Sequence, residues 1–84
     1  MDVREQVGRN LRCLRYKAGM SQEELAFRAE LNRGYVNGIE RYVRNPTIVV
    51  LQKLAHALGV EIAEFLAKPE TIRAQKARRT EHDT

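Results

Sequence analysis

Val3, Val7, Leu11, Leu14 and Ala18 fall four, four, three and four residues apart. That spacing places apolar side chains on one face of an α-helix and turns Arg4, Arg9, Arg12 and Lys17 away from it. The same period returns further along the chain, and no alternating strand pattern or internal repeat interrupts it. The chain is therefore expected to be all-α. With 84 residues it has room for one small domain.

Glycine, proline and capping residues divide the pattern. Gly19 stops the first helix, and Ser21-Gln22-Glu23-Glu24 opens a second, with Ser21 as cap and Glu24 as its capping-box partner. Leu25, Ala26 and Ala29 give this short helix a small apolar face. Leu31 lies in the bend, and Asn32 caps a third helix running from Arg33 to about Arg41. That helix has only Val36 and Ile39 as an inward pair, with Gly34, Asn37 and Gly38 between or beside them, so its intrinsic propensity is poor and packing must hold it. Tyr-Val-Arg-Asn-Pro at 42–46 reads as a loop, since Pro46 disfavours helix at Asn45. Thr47 then caps a fourth helix whose stripe is Ile48, Leu51, Leu54, Ala55 and Leu58, ended by Gly59. Residues 60–67 predict one or two more helical turns, with Ile62, Phe65 and Leu66 apolar. Five helices result, in a domain over residues 1–67 followed by a polar, basic tail over 68–84 without a convincing apolar stripe.

Charge is informative through its placement. The sequence has 15 Lys and Arg against 11 Asp and Glu, a net +4, which suits a polyanionic partner. Half of the excess lies on residues 1–67 (10 basic, 8 acidic) and half on the tail (5 basic, 3 acidic). Within the domain, Arg33, Arg41 and Arg44 share a stretch whose one acid is Glu40. No apolar run reaches the ~18 residues that span a bilayer. The start of the chain lacks the apolar core of a signal peptide, and the lone Cys13 has no internal disulfide partner, so a cytoplasmic chain is expected. Cys13 reads as a small packing residue and His56 as a surface or boundary residue; His82 falls in the tail. No nucleophile–base pair, phosphate-cradling glycine loop or metal-ligand spacing is present. Ser21 is explained by capping. The expectation is a non-enzyme with no cofactor, no metal and no small-molecule substrate.

A short second helix, a tight bend and a third helix with a polar outer face describe a helix-turn-helix. An α-helix fits the major groove of B-DNA, so a helix pinned by Val36 and Ile39 can present its other side to base edges. The motifs Gly19-Met20-Ser21-Gln22-Glu23-Glu24-Leu25-Ala26, Tyr35-Val36-Asn37-Gly38-Ile39-Glu40-Arg41, Asn45-Pro46-Thr47 and Leu54-Ala55-His56-Ala57-Leu58-Gly59-Val60 carry a resemblance. Over residues 4–67 the chain resembles the Cro and phage-repressor (XRE-type) helix-turn-helix domains, with their lambda-repressor-like fold. Asn32-Arg33, Tyr35-Val36, Gly38 to Arg41 and Arg44-Asn45-Pro46 look most like restriction-modification controller proteins, which are dimeric transcriptional regulators.

The resemblance implies roles. Arg33, at the start of the recognition helix, matches a base-reading position, where a guanidinium reaches guanine O6 and N7. Asn37, one turn on, pairs with adenine or a phosphate. Gln22 matches a phosphate-bonding position at the start of helix two, and Asn32, Tyr35, Arg41 and Arg44 are expected against the DNA backbone. Tyr35 reads equally well as half-buried packing. Gly34 stands where the controllers often carry Thr or Ser, so one hydroxyl contact is missing. Arg15 and Glu40 occupy positions that form a buried ion pair in related repressors, a structural role. The bland alternative for Arg33, Arg41 and Arg44 is a solvated charged face, and the position of the three on the motif favours DNA.

One recognition helix reads only about four or five base pairs, so two half-sites and two-fold symmetry are expected. Ile62, Phe65 and Leu66 are candidates for a homodimer interface, joined by Val49 or Val50; the alternative is that they close the monomer core. The partner expected is double-stranded DNA with a partly palindromic operator. An antitoxin or phage-type repressor of the same fold is the alternative within regulators, and a helical protein-binding module the alternative outside them.

Overall fold

The computed structural model describes residues 2–68. Of the tail assigned to 68–84, all but Lys68 lies outside the described residues. The order is α1 (Val3–Lys17), α2 (Gln22–Arg28), α3 (Arg33–Glu40), α4 (Ile48–Leu58) and one 3-10 turn, Ile62–Phe65. No strand occurs among the described residues, as the periodicity requires.

Each α-helix starts on a side-chain cap. Asp2 accepts from the Arg4 N–H, Ser21 from Glu24, Asn32 from Gly34 and Thr47 from Val50, which satisfies donors that have no partner within the first helical turn. The expected capping box at Ser21 is only half formed, because the Glu24 carboxylate turns to Arg28 at 2.9 Å.

The four helices also stop in the same way. The chain enters the left-handed region at Gly19, Glu30, Tyr42 and Gly59, and the next N–H reaches back to a carbonyl in the last turn: Met20 to Arg15, Leu31 to Ala26, Val43 to Gly38, Val60 to Ala55. Sequence inspection sees the two glycine stops. Those at Glu30 and Tyr42 carry no glycine and leave no such signal.

The core unites Val7, Leu11 and Leu14 of α1, Leu25 and Ala26 of α2 with Ala29 just after it, Val36 and Ile39 of α3, Leu51, Leu54 and Ala55 of α4, and Phe65. The apolar stripes overshoot it. Val3, Ala18 and Ile48 are exposed, Ile48 by 69%, because each sits at a helix end beyond the reach of the neighbouring elements. Cys13, expected to pack, is also exposed.

The fifth helix is corrected to a single four-residue 3-10 turn. Its downstream carbonyls are already used: Asn10 of α1 donates to Phe65 O at 2.8 Å and Ala67 O at 2.6 Å, and Gln6 donates to Leu66 O. These bonds tie the residues that follow the turn to α1. The candidate interface residue Phe65 is corrected as well: it is completely buried within one chain and closes the monomer core. Ile62 stays half-buried and Leu66 exposed.

Candidate nucleic-acid interface

α3 lies across α1 and α2, and its placement rests on two close approaches. A Cβ on Gly8 would stand 2.5 Å from Ile39 O and 2.7 Å from the Tyr42 ring, so only glycine lets the α1 backbone touch the end of α3. Tyr42 in turn covers Gly8, and its hydroxyl, with the Glu5 carboxylate, pushes the Arg9 guanidinium above its ordinary value. At Gly38 a Cβ would stand 2.5 Å from Arg44 Cγ. Gly38 is therefore a seat for the Arg44 stem; Gly34 alone is the exposed glycine on α3.

Beneath the surface, Glu40 gathers donors from two other helices. Arg15 grips it with two prongs, Nε to Oε2 at 2.7 Å and Nη2 to Oε1 at 2.9 Å. Gln22 Nε2 donates to Oε1 at 3.0 Å, and Arg12 Nε stands 3.6 Å from Oε1 while its Nη2 donates to the Glu40 carbonyl at 3.2 Å. Arg15 and Glu40 are 6% and 1% exposed. Burial alone would push the Glu40 carboxyl up; the hydrogen bonds from Arg15 and Gln22 and the nearby guanidinium charges outweigh it and hold it below its usual range. The bond to Glu40 raises Arg15 correspondingly. Every buried side-chain polar atom among the described residues has a partner. Arg12, placed by periodicity on the solvent side of α1, thus bends back to α3 through its long stem.

On the outer side, helical period sets Arg33, Gly34, Asn37 and Arg41 on one face of α3. Arg33, Gly34 and Asn37, with Gln22 from α2, line an open groove of about 400 Å³. Arg33, Arg41 and Arg44 are exposed and, among the described residues, form none of the ion pairs that engage Arg4, Arg9, Arg12, Arg15 and Arg28. Tyr35 is half-buried, its ring centroid 6.0 Å from the Arg44 guanidinium carbon. Asn32 spends its side-chain oxygen on the cap. Gln22, expected against a phosphate, directs its amide nitrogen to Glu40 Oε1 and, at 3.3 Å, to Asn37 Oδ1.

Asn10, Gln6, Gly8 and Tyr42 were not singled out by sequence. Asn10 interrupts the apolar face of α1 as a buried amide, but nothing local marks its acceptors 55 and 57 residues away.

The α2–turn–α3 unit, with α3 pinned on one side and polar on the other, defines a helix-turn-helix protein. Residues 9–65 match that family, and the chain belongs to it, the class of transcriptional regulators read from its motifs. The HTH-type transcriptional regulator y4dJ of Sinorhizobium fredii is 42% identical over 66 residues, covering 79% of this chain and 86% of that protein. The restriction-modification controller protein C.AhdI from Aeromonas hydrophila superposes with a TM-score of 0.72 at 47% identity, over 74% of this chain and 94% of its own. C.Esp1396I bound to a 19 base pair DNA duplex superposes with a TM-score of 0.71 at 35% identity, over 77% and 87%.

Among the described residues no helix is long and apolar enough to cross a membrane, and no group of three His, Cys, Asp or Glu could hold a metal ion.

Proposed function

We propose that this chain is a sequence-specific double-stranded DNA-binding regulator of the controller kind, with a lambda-repressor-like fold, acting in the cytoplasm as a homodimer on a partly palindromic operator. The observation that carries the reading is the face of α3: exposed Arg33 beside Asn37 at an open groove, with Arg41 and Arg44 exposed and outside any ion pair among the described residues. Guanidinium groups that no carboxylate engages keep all their donors for phosphates and guanine edges.

Arg33 is assigned to a base edge and Asn37 beside it; Asn32, Tyr35, Arg41 and Arg44 are assigned to the backbone. Arg15 and Glu40 hold the reading helix in place and touch no DNA. The basic tail over 68–84 adds nonspecific phosphate attraction. Ile62 and Leu66, with exposed Ile48 and Val49 at the start of α4, are the apolar side chains assigned to dimerisation. The function is regulatory rather than catalytic: the Ser21 hydroxyl is spent on the α2 cap.

Gel-shift competition with random duplex DNA tests the reading. A salt-sensitive, sequence-selective complex is expected. Its absence at micromolar protein would defeat the proposal and favour a protein-binding module.

A further inference from the structure

The hydrogen bonds behind the α3 groove have a fixed polarity. An ionised carboxylate only accepts, and Glu40 is held ionised by Arg15. Gln22 must therefore turn its amide nitrogen, not its oxygen, toward Glu40 Oε1 at 3.0 Å. The second proton of that nitrogen then faces Asn37, which must meet it with its own oxygen, Oδ1, at 3.3 Å. With Oδ1 turned back to Gln22, the group Asn37 presents to the groove is its Nδ2, a pure donor.

We propose that Gln22 is a specificity-determining positioning residue: by holding Asn37 Oδ1 it makes Asn37 a donor-only reader of a base edge that offers acceptors. This rests on the DNA reading given above. A free asparagine accepts from adenine N6 and donates to N7 together, and so favours adenine. An asparagine whose oxygen is held inward favours guanine, which offers N7 and O6, or thymine, which offers O4. The buried ion pair thereby sets base preference through Glu40, Gln22 and Asn37 in turn, although neither Arg15 nor Glu40 reaches the groove. Phosphate contact by the Gln22 amide would compete with this role, because both of its protons are already directed at acceptors.

The test is selection of binding sites from a randomised duplex library by the full chain, the Gln22→Met and Asn37→Ala variants, and the double variant, each first checked for cooperative thermal unfolding. Asn37→Ala is expected to erase preference at one position per half-site, and that position is expected to be guanine or thymine on the contacted strand. Gln22→Met, which keeps side-chain length and removes the donor, is expected to shift that position toward adenine by about tenfold, leaving the others unchanged and adding nothing in the Asn37→Ala background. Adenine at that position in the unaltered chain, no position erased in Asn37→Ala, or a Gln22→Met preference unchanged there would each overturn the assignment of Gln22 while leaving the DNA reading intact. An unaltered chain that selects no sequence at all would instead remove the DNA reading, and this inference with it.

Discussion

The carbonyl oxygen of Ile39 lies 2.5 Å from the place a Cβ on Gly8 would take. α1 and the end of the recognition helix are in backbone contact there, and the Tyr42 ring closes the same gap. The register of α3 against the core is thus set by a missing side chain. Gly8→Ala gains about 1 kcal/mol of helix propensity but drives a methyl group into a carbonyl that cannot swing aside, at a cost of about 1–3 kcal/mol or more. A lower urea midpoint with an unchanged slope is expected. Gly34→Ala, whose new Cβ would meet only Asn32 Oδ1 at 3.0 Å, is expected to stay near the original midpoint; equal destabilisation at the two positions would refute the close-contact account.

Glu40→Ala leaves Arg15, 6% exposed, without its carboxylate. Breaking a buried pair in this way typically costs about 3–5 kcal/mol, a large share of what a domain of this size possesses. Thermal unfolding should show a strongly lowered Tm, whereas Glu40→Gln, which keeps the shape and some hydrogen bonding, should fall between. A Glu40→Ala chain as stable as the original would exclude a structural role for the pair.

Stability should also depend on pH through this group. The Glu40 carboxyl is held below its ordinary 4.5 in the folded chain, so the unfolded chain takes up the proton first and unfolding is favoured as pH falls. The contribution is fully present above about 4.5 and is lost as pH drops through the lower folded value. Asp2, lowered by the Arg4 N–H, titrates in the same direction in both the original chain and Glu40→Gln. Denaturant melts between neutral and acid pH should therefore be steeper in pH for the original chain than for Glu40→Gln, and parallel curves would count against it.

How far the sequence foretold this molecule depends on whether the signal was local. Helix starts were legible because Ser21, Asn32 and Thr47 each act on an N–H two or three residues away. The helix-turn-helix was legible because Val36 and Ile39 must face inward if α3 exists at all. The last element was legible as one or two turns, but not as a 3-10 turn tied to α1, since Asn10 and Gln6 reach carbonyls 55 to 60 residues away. Nor was Phe65: an apolar residue after a filled helix face was assigned to the interface, and only its complete burial within one chain makes it core. Arg15 with Glu40 was available only through family resemblance, because a pair 25 residues apart has no spacing rule.

The two glycine-free helix stops separate local strain from tertiary support. Glu30 is exposed at φ 57 and Tyr42 half-buried at φ 68, and a left-handed L-residue typically costs about 1 kcal/mol. Glu30→Gly should recover part of that and raise Tm slightly. Tyr42→Gly relieves the same strain but strips the cover from Gly8 and the hydroxyl from Arg9, so it should lower Tm. Opposite signs in matched melts are expected; the same sign at both sites would mean that the Tyr42 ring contributes nothing to the α1–α3 contact.

Arg33 and Arg44 carry the same charge but different tasks in the proposed complex, and salt separates them. Replacing Arg33 at the groove by alanine should weaken binding by about 1–3 kcal/mol, concentrated at one base pair of each half-site. Arg44, whose stem crosses Gly38 and whose guanidinium stands off the Tyr35 ring, is placed for phosphate. Arg44→Ala should weaken all duplexes by a similar factor and flatten the plot of log affinity against log salt by about 0.9 for each phosphate that a subunit no longer neutralises. Melting curves control for the packing that the Arg44 stem supplies. Titrations of a selected operator and of random duplex at several salt concentrations distinguish the roles: Arg33→Ala should change the ratio of the two affinities and Arg44→Ala the slope. If Arg33→Ala leaves the ratio untouched while flattening the slope, Arg33 is a backbone contact and base reading belongs to Asn37 alone.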